Sequence, residues 1–304
     1  MSIKIQHKEG IKFLEEVEDG SVDLVLTDPP YITSRKTGMD KWVDFVKKVK
    51  DSGENVKTEE EWEEWYKNTS IDFYVKKKVE EEPKIDEKKV KKAKENFLKY
   101  GTIYGEKYAV KTDYGEWDSE FTMEKMKLFI NHYYRVLRKG GTAIIFFDIW
   151  KITPLKELME EAGFKQIRFI EWIKTNPQPL NSSRNYLTNC REVALLGVKH
   201  GSPTFNSKYD NAVYYEDELY KFPIQGGSKK ERFHPTQKSL PLFEALIEKH
   251  SNEGDLVLDS FSGSGTAAIA SMKTKRNFVG CELDKDFYDK SIERLKAHED
   301  KEEK

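Results

Sequence analysis

Apolar and polar positions follow two patterns along the chain, and the first of them is typical of an α/β domain. Short apolar runs over 22–26, 142–147, 193–198, 256–259 and 278–282 have the length and composition of buried strands. The segments between them place apolar residues at helical spacing, most clearly in 122–137, 154–162, 240–250 and 285–298. Strands that alternate with helices predict a mainly parallel sheet.

One helix boundary carries a specific stop signal. The amphipathic segment Thr122 to Leu137 is followed by Arg138, Lys139, Gly140 and Gly141. Basic residues in a last turn and a glycine just beyond it are typical of a helix C-terminus. We therefore expect the helix to end at these glycines and the next strand to begin at Thr142.

The second pattern fills residues 36–112, where Lys and Glu dominate. Aromatic residues still recur at helical spacing, as in Trp42 with Phe45 and in Trp62 with Trp65. The spacing predicts a helical insertion. It is either a solvated helical hairpin that packs on the core through its aromatic stripe, or a DNA clamp or subunit interface.

Charge and cysteine usage restrict the class of protein. Lys and Arg number 52 and Asp and Glu number 54, so any nucleic-acid surface must be a local basic patch. Cys190 and Cys281 are far apart and lack metal-ligand spacing, so we expect reduced thiols and no metal site.

The first residues do not resemble a signal peptide, and no apolar run is long enough to cross a membrane. We expect a soluble, intracellular protein with no membrane partner.

A glycine-rich turn over Asp259–Thr266 is the first candidate for chemistry. It follows an apolar strand and opens a helix, where glycines let the backbone approach a ligand closely. Glu282 ends the next strand, a position that suits ribose hydroxyls in nucleotide-binding α/β folds. The pair favours an adenosine-containing cofactor, although an ordinary tight turn is the alternative. Because the Lys-Ser or Lys-Thr of a phosphate-binding loop is missing, that class is disfavoured.

The second candidate is Asp28-Pro29-Pro30-Tyr31, at the predicted end of a strand. Two successive prolines can neither continue a ladder nor enter a helix, so they make a rigid turn. The Asp28 carboxylate and the Pro29 carbonyl can accept hydrogen bonds from an amino group, and Tyr31 can stack on a planar base. A purely structural turn is the alternative here.

Together these motifs resemble the amino-methyltransferases that modify adenine N6 or cytosine N4 in DNA. Asp28–Tyr31 matches the catalytic motif of that family, and Asp259–Thr266 matches its cofactor motif. A third family motif, His-Pro-Thr-Gln-Lys, is intact at 234–238. The catalytic motif precedes the cofactor motif, which is the permuted order of the beta class. The resemblance covers nearly the whole chain except the insertion.

The resemblance implies a circularly permuted, doubly wound, mainly parallel α/β fold that binds S-adenosylmethionine. It also implies that the catalytic residues are Asp28, Pro29, Pro30 and Tyr31. The cofactor-binding residues that it implies are Glu9, Asp28, His234, Thr236, Gln237, Lys238, Asp259, Phe261, Ser262, Gly263, Ser264, Gly265, Thr266 and Glu282. Two positions depart from the family pattern: Ser260 replaces a usual Pro, and Glu9 stands where relatives usually carry an Asp that binds the adenine amino group of the cofactor.

The motif order predicts a division of the chain. Residues 1–35 and 113–173 would form the catalytic half of the methyltransferase domain, and 234–304 its cofactor-binding half. Residues 174–233, where basic side chains outnumber acidic ones, would recognise double-stranded DNA. The insertion, 36–112, is in addition a candidate homodimer interface.

The resemblance favours transfer of a methyl group to N6 of a flipped adenine. Cytosine N4 is the alternative target. Enzymes that methylate cytosine N4 more usually carry Ser-Pro-Pro, whereas this chain has Asp28 before the two prolines. A protein-glutamine methyltransferase is disfavoured by the motif order and by the intact 234–238 motif. A catalytically silent DNA-binding subunit is the non-enzyme alternative, and it should carry a degraded motif. From the resemblance we expect a prokaryotic or phage-encoded protein, which could belong to a restriction-modification system.

Overall fold

The computed structural model of the chain describes residues 1–32, 38–69, 85–108, 121–177, 190–206, 220–226, 232–234 and 236–302. The chain divides into two units, Met1–Ile32 with Tyr114–Lys304, and Thr33–Asp113. Half of the predicted target-recognition region, residues 174–233, lies outside the described residues, as does Pro235.

Among the described residues, the first unit contains all eight strands of one sheet. They are β1 Ile3–His7, β2 Val22–Thr27, β3 Leu137–Phe147, β4 Lys165–Lys174, β5 Arg191–Val198, β6 Lys221–Phe222, β7 Leu256–Asp259 and β8 Asn277–Glu282. The helices of the same unit are α1 Gly10–Glu15, α5 Met123–Val136, α6 Ile152–Ala162, α7 Leu240–His250, α8 Thr266–Lys273 and α9 Lys285–Glu302. Those of the second unit are α2 Gly38–Ser52, α3 Glu59–Asn68 and α4 Glu87–Tyr100.

The sheet has the order β1-β8-β7-β2-β3-β5-β4-β6. Strands β1, β8, β7, β2 and β3 are parallel, whereas β5 is antiparallel to both β3 and β4. The prediction of a mainly parallel α/β sheet is confirmed. Strand β6, which pairs with the end of β4, was not predicted from the sequence.

Strand β3 shows why the sheet is covered on both faces. Ala143, Ile145 and Phe147 belong to one core cluster, which includes residues of α1, α5 and α6. Ile144 and Phe146 belong to a second cluster, which includes residues of α7 and α8. Because successive side chains of a strand point to opposite faces, a continuous apolar run requires helices on both sides.

The predicted glycine stop after α5 is wrong. The helix ends at Val136, Leu137 is already extended with ψ 138°, and Arg138 to Gly141 belong to β3. Arg138 Nε donates to Asp23 Oδ1 on the adjacent strand. This ion pair explains both the basic residue after the helix and the presence of Asp23 within the otherwise apolar β2. Gly140 adopts φ 75°, and a Cβ there would lie 2.1 Å from Ser202 O. Its glycine is therefore needed for a bend within the strand.

The second unit is helical, as the aromatic spacing predicts. Helix α3 begins with a capping box between Thr58 and Glu61. Trp62 is buried against Phe97 of α4, with ring centroids 5.5 Å apart. Val46 and Val49 of α2 form a second small cluster with Tyr100. The aromatic and aliphatic residues of the Lys/Glu-rich segment therefore form cores of their own.

In the part of the chain that the structure describes, no helix is both long enough and apolar enough to cross a membrane.

Candidate active site

Three strand ends bring the predicted motifs to one edge of the sheet. Strands β2, β7 and β8 are parallel neighbours, so Asp28, Asp259 and Glu282 all lie at their carboxyl ends. From β7 the chain continues to β8 on one side, and from β2 it continues to β3 on the other. Ligands of open α/β sheets bind at such a reversal of strand order.

The antiparallel strand β5 adds a residue to this edge that sequence reasoning missed. Glu192 is the second residue of β5. It lies at the carboxyl end of β3, because its neighbour Val193 pairs with Phe147, the last residue of β3. Trp172 of β4 pairs with Glu192, which places Lys174 at the same edge. The sequence indicated the importance of Glu192 only by a charged side chain at the start of an otherwise buried strand.

The Lys238 ammonium is the centre of a buried charge cluster around Asp28. Lys238 Nζ lies 2.8 Å from Asp28 Oδ2 and 2.5 Å from Glu192 Oε2. The Lys238 side chain is only 6% exposed. The Tyr31 hydroxyl accepts a hydrogen bond from Lys238 at 3.3 Å and donates one to Glu192 at 3.4 Å. Lys174 Nζ lies 2.7 Å from the other oxygen of Glu192.

One oxygen of the Asp28 carboxylate takes no part in this charge cluster. Asp28 Oδ1 is buried and has no hydrogen-bond partner among the described residues. A buried acceptor without a donor is costly, and such groups are concentrated at functional sites. Pro29 and Pro30 are buried beside it, and the half-buried ring of Tyr31 meets Phe147 edge-on at 6.2 Å.

Burial and neighbouring charges give the two carboxyl groups of the cluster different pKa values. Burial raises the pKa of Asp28 to about 6, although the Lys238 ammonium opposes this change. Burial also opposes ionisation of Glu192, but the ammonium groups of Lys238 and Lys174 outweigh it and lower its pKa to about 2. At neutral pH Glu192 is fully ionised, whereas Asp28 is an ionised group of raised basicity.

The surface of the glycine-rich turn is formed by backbone atoms rather than by side chains. Gly263 has φ 48° and Gly265 has φ 73°. The Gly263 N–H donates to Glu282 Oε2 at 2.7 Å, and the Asp284 N–H donates to Glu282 Oε1 at 2.8 Å. A Cβ at Gly280 would lie 2.6 Å from Asp259 O, so β8 can approach the turn only with a glycine at that position. The importance of Gly280 was not evident from the sequence.

Several side chains that the resemblance assigns to cofactor binding instead make packing contacts or hydrogen bonds with other residues of the protein, which stabilise the turn. Phe261 packs on Phe129 of α5, with centroids 4.6 Å apart. The Ser264 and Thr266 hydroxyls lie 3.0 Å apart, and Arg294 of α9 donates to Thr266 Oγ1 and to Ser264 O. Arg294 is a further residue that the sequence did not reveal.

Ser262 and Asp259 are likewise engaged within the turn. The Ser262 hydroxyl donates to Asp259 O at 3.2 Å. Asp259 Oδ1 accepts from the Phe261 N–H at 3.0 Å and from the Thr27 hydroxyl at 2.7 Å. Burial raises the pKa of Asp259 to about 7.

The 234–238 motif connects the two halves of the site. A Cβ at Gly263 would lie 3.3 Å from His234 Nε2, so the His234 ring lies against the glycine-rich turn. Burial lowers the pKa of His234 to about 4, which leaves a neutral imidazole whose Nδ1 lies 3.2 Å from Thr236 Oγ1. The Gln237 N–H donates to His234 O. At the other end of the motif, Lys238 contacts Asp28 rather than the turn.

Glu9 occupies the N-cap of α1. Its two carboxylate oxygens accept hydrogen bonds from the Ile11 and Lys12 N–H groups at 3.1 and 2.9 Å. The preceding strand, β1, pairs with β8 so that His7 is opposite Glu282. Glu9 therefore lies at the same edge of the sheet as the other predicted cofactor residues, with its carboxylate already engaged in capping.

The chain is similar to known proteins both in sequence and in fold. A family model described as DNA methylase, of N6 and N4 methyltransferases, matches residues 22–293. The type II methyltransferase M2.DpnII of Streptococcus pneumoniae is 32% identical over 199 residues, which are 62% of this chain and 74% of the relative. M2.MboI of Moraxella bovis is 32% identical over 191 residues, which are 59% of this chain and 69% of the relative.

A crystal structure of an M1.HpyAVI–SAM complex shares the fold with a TM-score of 0.57 at 24% identity, covering 96% of this chain and 98% of that chain. The family match includes the Asp28 strand end, the 234–238 motif and the glycine-rich turn. This chain therefore belongs to the DNA methylase family of N6 and N4 methyltransferases.

Proposed function

We propose that this chain transfers a methyl group from S-adenosylmethionine to N6 of an adenine that is flipped out of double-stranded DNA. The observation that carries the proposal is the buried Asp28 Oδ1 at the carboxyl end of β2, which has no hydrogen-bond partner in the part of the chain that the structure describes. Such a carboxylate oxygen can accept a hydrogen bond from a substrate amino group. DNA as the substrate follows from the family.

The residues around the glycine-rich turn fit an adenosine-containing cofactor. A side chain at Gly263 would fill the space between the turn and His234. The Glu282 oxygens each accept one backbone N–H, which leaves each of them a lone pair for a ribose hydroxyl. Glu9, at the same edge, is the proposed acceptor for the adenine amino group. When bound, S-adenosylmethionine supplies a methyl group activated on a sulfonium.

The protein's contribution to methyl transfer is to prepare the target nitrogen. The lone pair of an exocyclic amino group is delocalised into the ring, so the group is a poor nucleophile. A hydrogen bond from this amino group to Asp28 Oδ1, and a second to the Pro29 carbonyl, localise the lone pair and stabilise the developing positive charge. The methylated ammonium is strongly acidic, so Asp28 acts as an acceptor and need not be a strong base.

Base flipping brings the target to this group, because an amino nitrogen inside a duplex cannot be reached. We propose that the half-buried Tyr31 ring stacks on the flipped base. Residues 174–233 are the proposed target-recognition region. Both relatives are named type II methyltransferases, which supports a modification enzyme of a prokaryotic restriction-modification system as the setting.

The test is methyl transfer with product identification. Purified chain is incubated with labelled S-adenosylmethionine and unmethylated duplex DNA, and the digested DNA is analysed for modified nucleosides. We expect N6-methyladenine. Label in N4-methylcytosine alone would replace the adenine assignment with the cytosine alternative. No label in DNA, from protein that binds both DNA and cofactor, would favour a catalytically silent subunit.

A further inference from the structure

Four buried or half-buried charges alternate in sign across the active site. They run from Asp28 through Lys238 and Glu192 to Lys174, with successive nitrogen–oxygen distances of 2.8, 2.5 and 2.7 Å. The proposed methyl transfer uses the first of them. It assigns no role to Glu192, although Glu192 contacts the same ammonium as the catalytic carboxylate does.

A simple ion pair of Asp28 with Lys238 would already neutralise both charges. The addition of Glu192 brings a second carboxylate into a buried site, where like charges repel strongly and desolvation is costly. Lys174 compensates part of that cost, because it binds the oxygen of Glu192 that faces away from Lys238. The Lys238 ammonium is thus shared between two acceptors, and its distance to Glu192 is the shorter one.

We propose that Glu192 is a positioning residue for methyl transfer: it holds the Lys238 ammonium between two carboxylates, so that Asp28 is ionised but incompletely neutralised and keeps Oδ1 for the target amino group. This inference rests on the proposed function. A carboxylate that is fully neutralised by its own ammonium would be a weaker acceptor for the substrate N–H. Glu192 therefore increases the basicity of Asp28 without touching the substrate.

The charges that face Asp28 have opposite effects on its pKa. Burial raises the pKa of Asp28, Lys238 lowers it and Glu192 raises it. The Tyr31 hydroxyl, from the turn after β2, also lowers it. Asp259, the last residue of β7, is a further neighbouring carboxyl group, and the Asp28 charge contributes to its raised pKa. Lys174 of β4 acts on Asp28 through Glu192.

The decisive measurement is the pH dependence of kcat for Glu192→Gln. The amide keeps the size of the side chain and can still accept from Lys238, but the negative charge is lost. We expect the acid limb of the kcat profile, which reports the coupled Asp28–Glu192 pair, to move to lower pH by about one unit. We also expect kcat at neutral pH to fall about tenfold, as for other residues that position a catalytic group. KM for DNA and the dissociation constant for S-adenosylmethionine should be unchanged.

Lys174→Gln is the matched variant, and we expect it to move the acid limb of the kcat profile in the opposite direction. It removes the second counter-ion of Glu192, so that the repulsion between Glu192 and Asp28 increases. We expect its acid limb to move to higher pH. A merely structural role of Glu192 would lower activity in both variants without moving their acid limbs in opposite directions. If Glu192→Gln does not fold, Glu192→Asp replaces it: the charge is kept but retracted by one methylene, so kcat should fall while the acid limb remains near its wild-type position.

Two results would overturn the inference. The first is a Glu192→Gln profile that is identical to that of the wild-type protein, and the second is a shift of the same sign in Glu192→Gln and Lys174→Gln. If the wild-type protein transfers no methyl group to DNA, it is the proposed function that fails. The wild-type assay therefore distinguishes the two failures.

Discussion

The Thr27 hydroxyl donates a hydrogen bond to Asp259 Oδ1 across 2.7 Å, and both residues are buried. Thr27 is the last residue of β2 and immediately precedes Asp28, whereas Asp259 is the last residue of β7 and opens the glycine-rich turn. This bond joins the strand end that carries Asp28 to the glycine-rich turn, at the point where the order of the strands reverses. The hydrogen bond therefore fixes the position of the Asp28 strand end relative to the glycine-rich turn.

Thr27→Val tests the contribution of this bond to stability. The substitution keeps the shape of the side chain but removes one of the two donors that the buried Asp259 Oδ1 has among the described residues, so that the Phe261 N–H remains. We expect the free energy of unfolding to fall by roughly 1–3 kcal/mol when Asp259 is ionised. Urea unfolding, monitored by intrinsic fluorescence, measures the change. Thr142→Val is the matched control, because Thr142 Oγ1 is buried without a partner among the described residues.

The loss in Thr27→Val should depend on pH. The pKa of Asp259 is raised from 3.8 to about 7 in the folded protein, so the folded state binds its proton more tightly than the unfolded state. This group therefore lowers stability as pH rises between these two values. Removing the Thr27 donor raises the folded pKa further, so the variant should lose more stability about one unit above pH 7 than about one unit below it. Equal losses at both pH values would contradict this origin.

Asp28→Ala separates catalysis from cofactor binding. The substitution removes Oδ1, the proposed acceptor for the target amino group, while Lys238 keeps its ion pair with Glu192. We expect turnover to fall roughly 10²- to 10³-fold, as for loss of one preorganised hydrogen-bonding group. S-adenosylmethionine affinity, measured by calorimetry, should be largely retained. Undiminished methyl transfer would show that the active site lies elsewhere.

Gly263→Asp tests the assignment of the cofactor turn. Gly263 has φ 48°, its Cβ would meet His234, and its N–H binds Glu282, so an Asp would add bulk and a negative charge beside a carboxylate. We expect loss of S-adenosylmethionine binding with the fold retained. Gly254→Asp is the matched control, since Gly254 also has a positive φ, of 87°, but open space around its Cβ position. Wild-type cofactor affinity in Gly263→Asp would refute the assignment.

Local sequence signals predicted the strand ends and the turn, because they depend on residues that are adjacent in the chain. Two successive prolines after an apolar run, and glycines between a strand and a helix, have few alternative structures. The Arg138–Gly141 segment misled the same reasoning. Its arginine and glycines imitate a helix C-terminus, but the tertiary contacts with Asp23 and Ser202 determine their conformation.

The charge cluster could not be predicted in the same way. Glu192 reaches the Lys238 ammonium beside Asp28 because β5 runs antiparallel beside β3, and no local pattern fixes that pairing. Lys238 belongs to a motif that the family resemblance connects with the cofactor, yet its ammonium lies at Asp28. The ionisation of Asp28 is thus determined by residues from three distant parts of the chain. The sequence predicted that Asp28 lies at a strand end but did not predict its electrostatic environment.

The insertion provides the last prediction. Helices α2, α3 and α4 belong to a unit of their own, in which Trp62 is 2% exposed and packs against Phe97 and Trp65. The described side chains of the glycine-rich turn and their partners all belong to the other unit. We therefore expect deletion of about Asp40 to Tyr100, with a short Gly/Ser bridge, to leave S-adenosylmethionine affinity nearly unchanged.

DNA binding or oligomeric state should change more in the same deletion. In the sequence, the insertion begins within a few residues of Tyr31, the residue proposed to stack on the flipped base. Its basic and acidic residues nearly cancel, which disfavours a simple phosphate-binding arm and favours a shaped surface toward DNA or a second copy of the chain. Fluorescence anisotropy with duplex DNA and sedimentation analysis measure the two outcomes.

Trp62→Ala in the full chain is the companion variant for this deletion. Removal of a buried Trp side chain costs about 3–5 kcal/mol, enough to unfold a small helical unit without any deletion. It should therefore reproduce the effect of the deletion on DNA binding or assembly while cofactor affinity is retained. Limited proteolysis shows whether α3 and α4 have opened in the variant. Rapid cleavage throughout these helices in the wild-type protein, or an equal loss of DNA and cofactor binding on deletion, would contradict an ordered insertion with its own role.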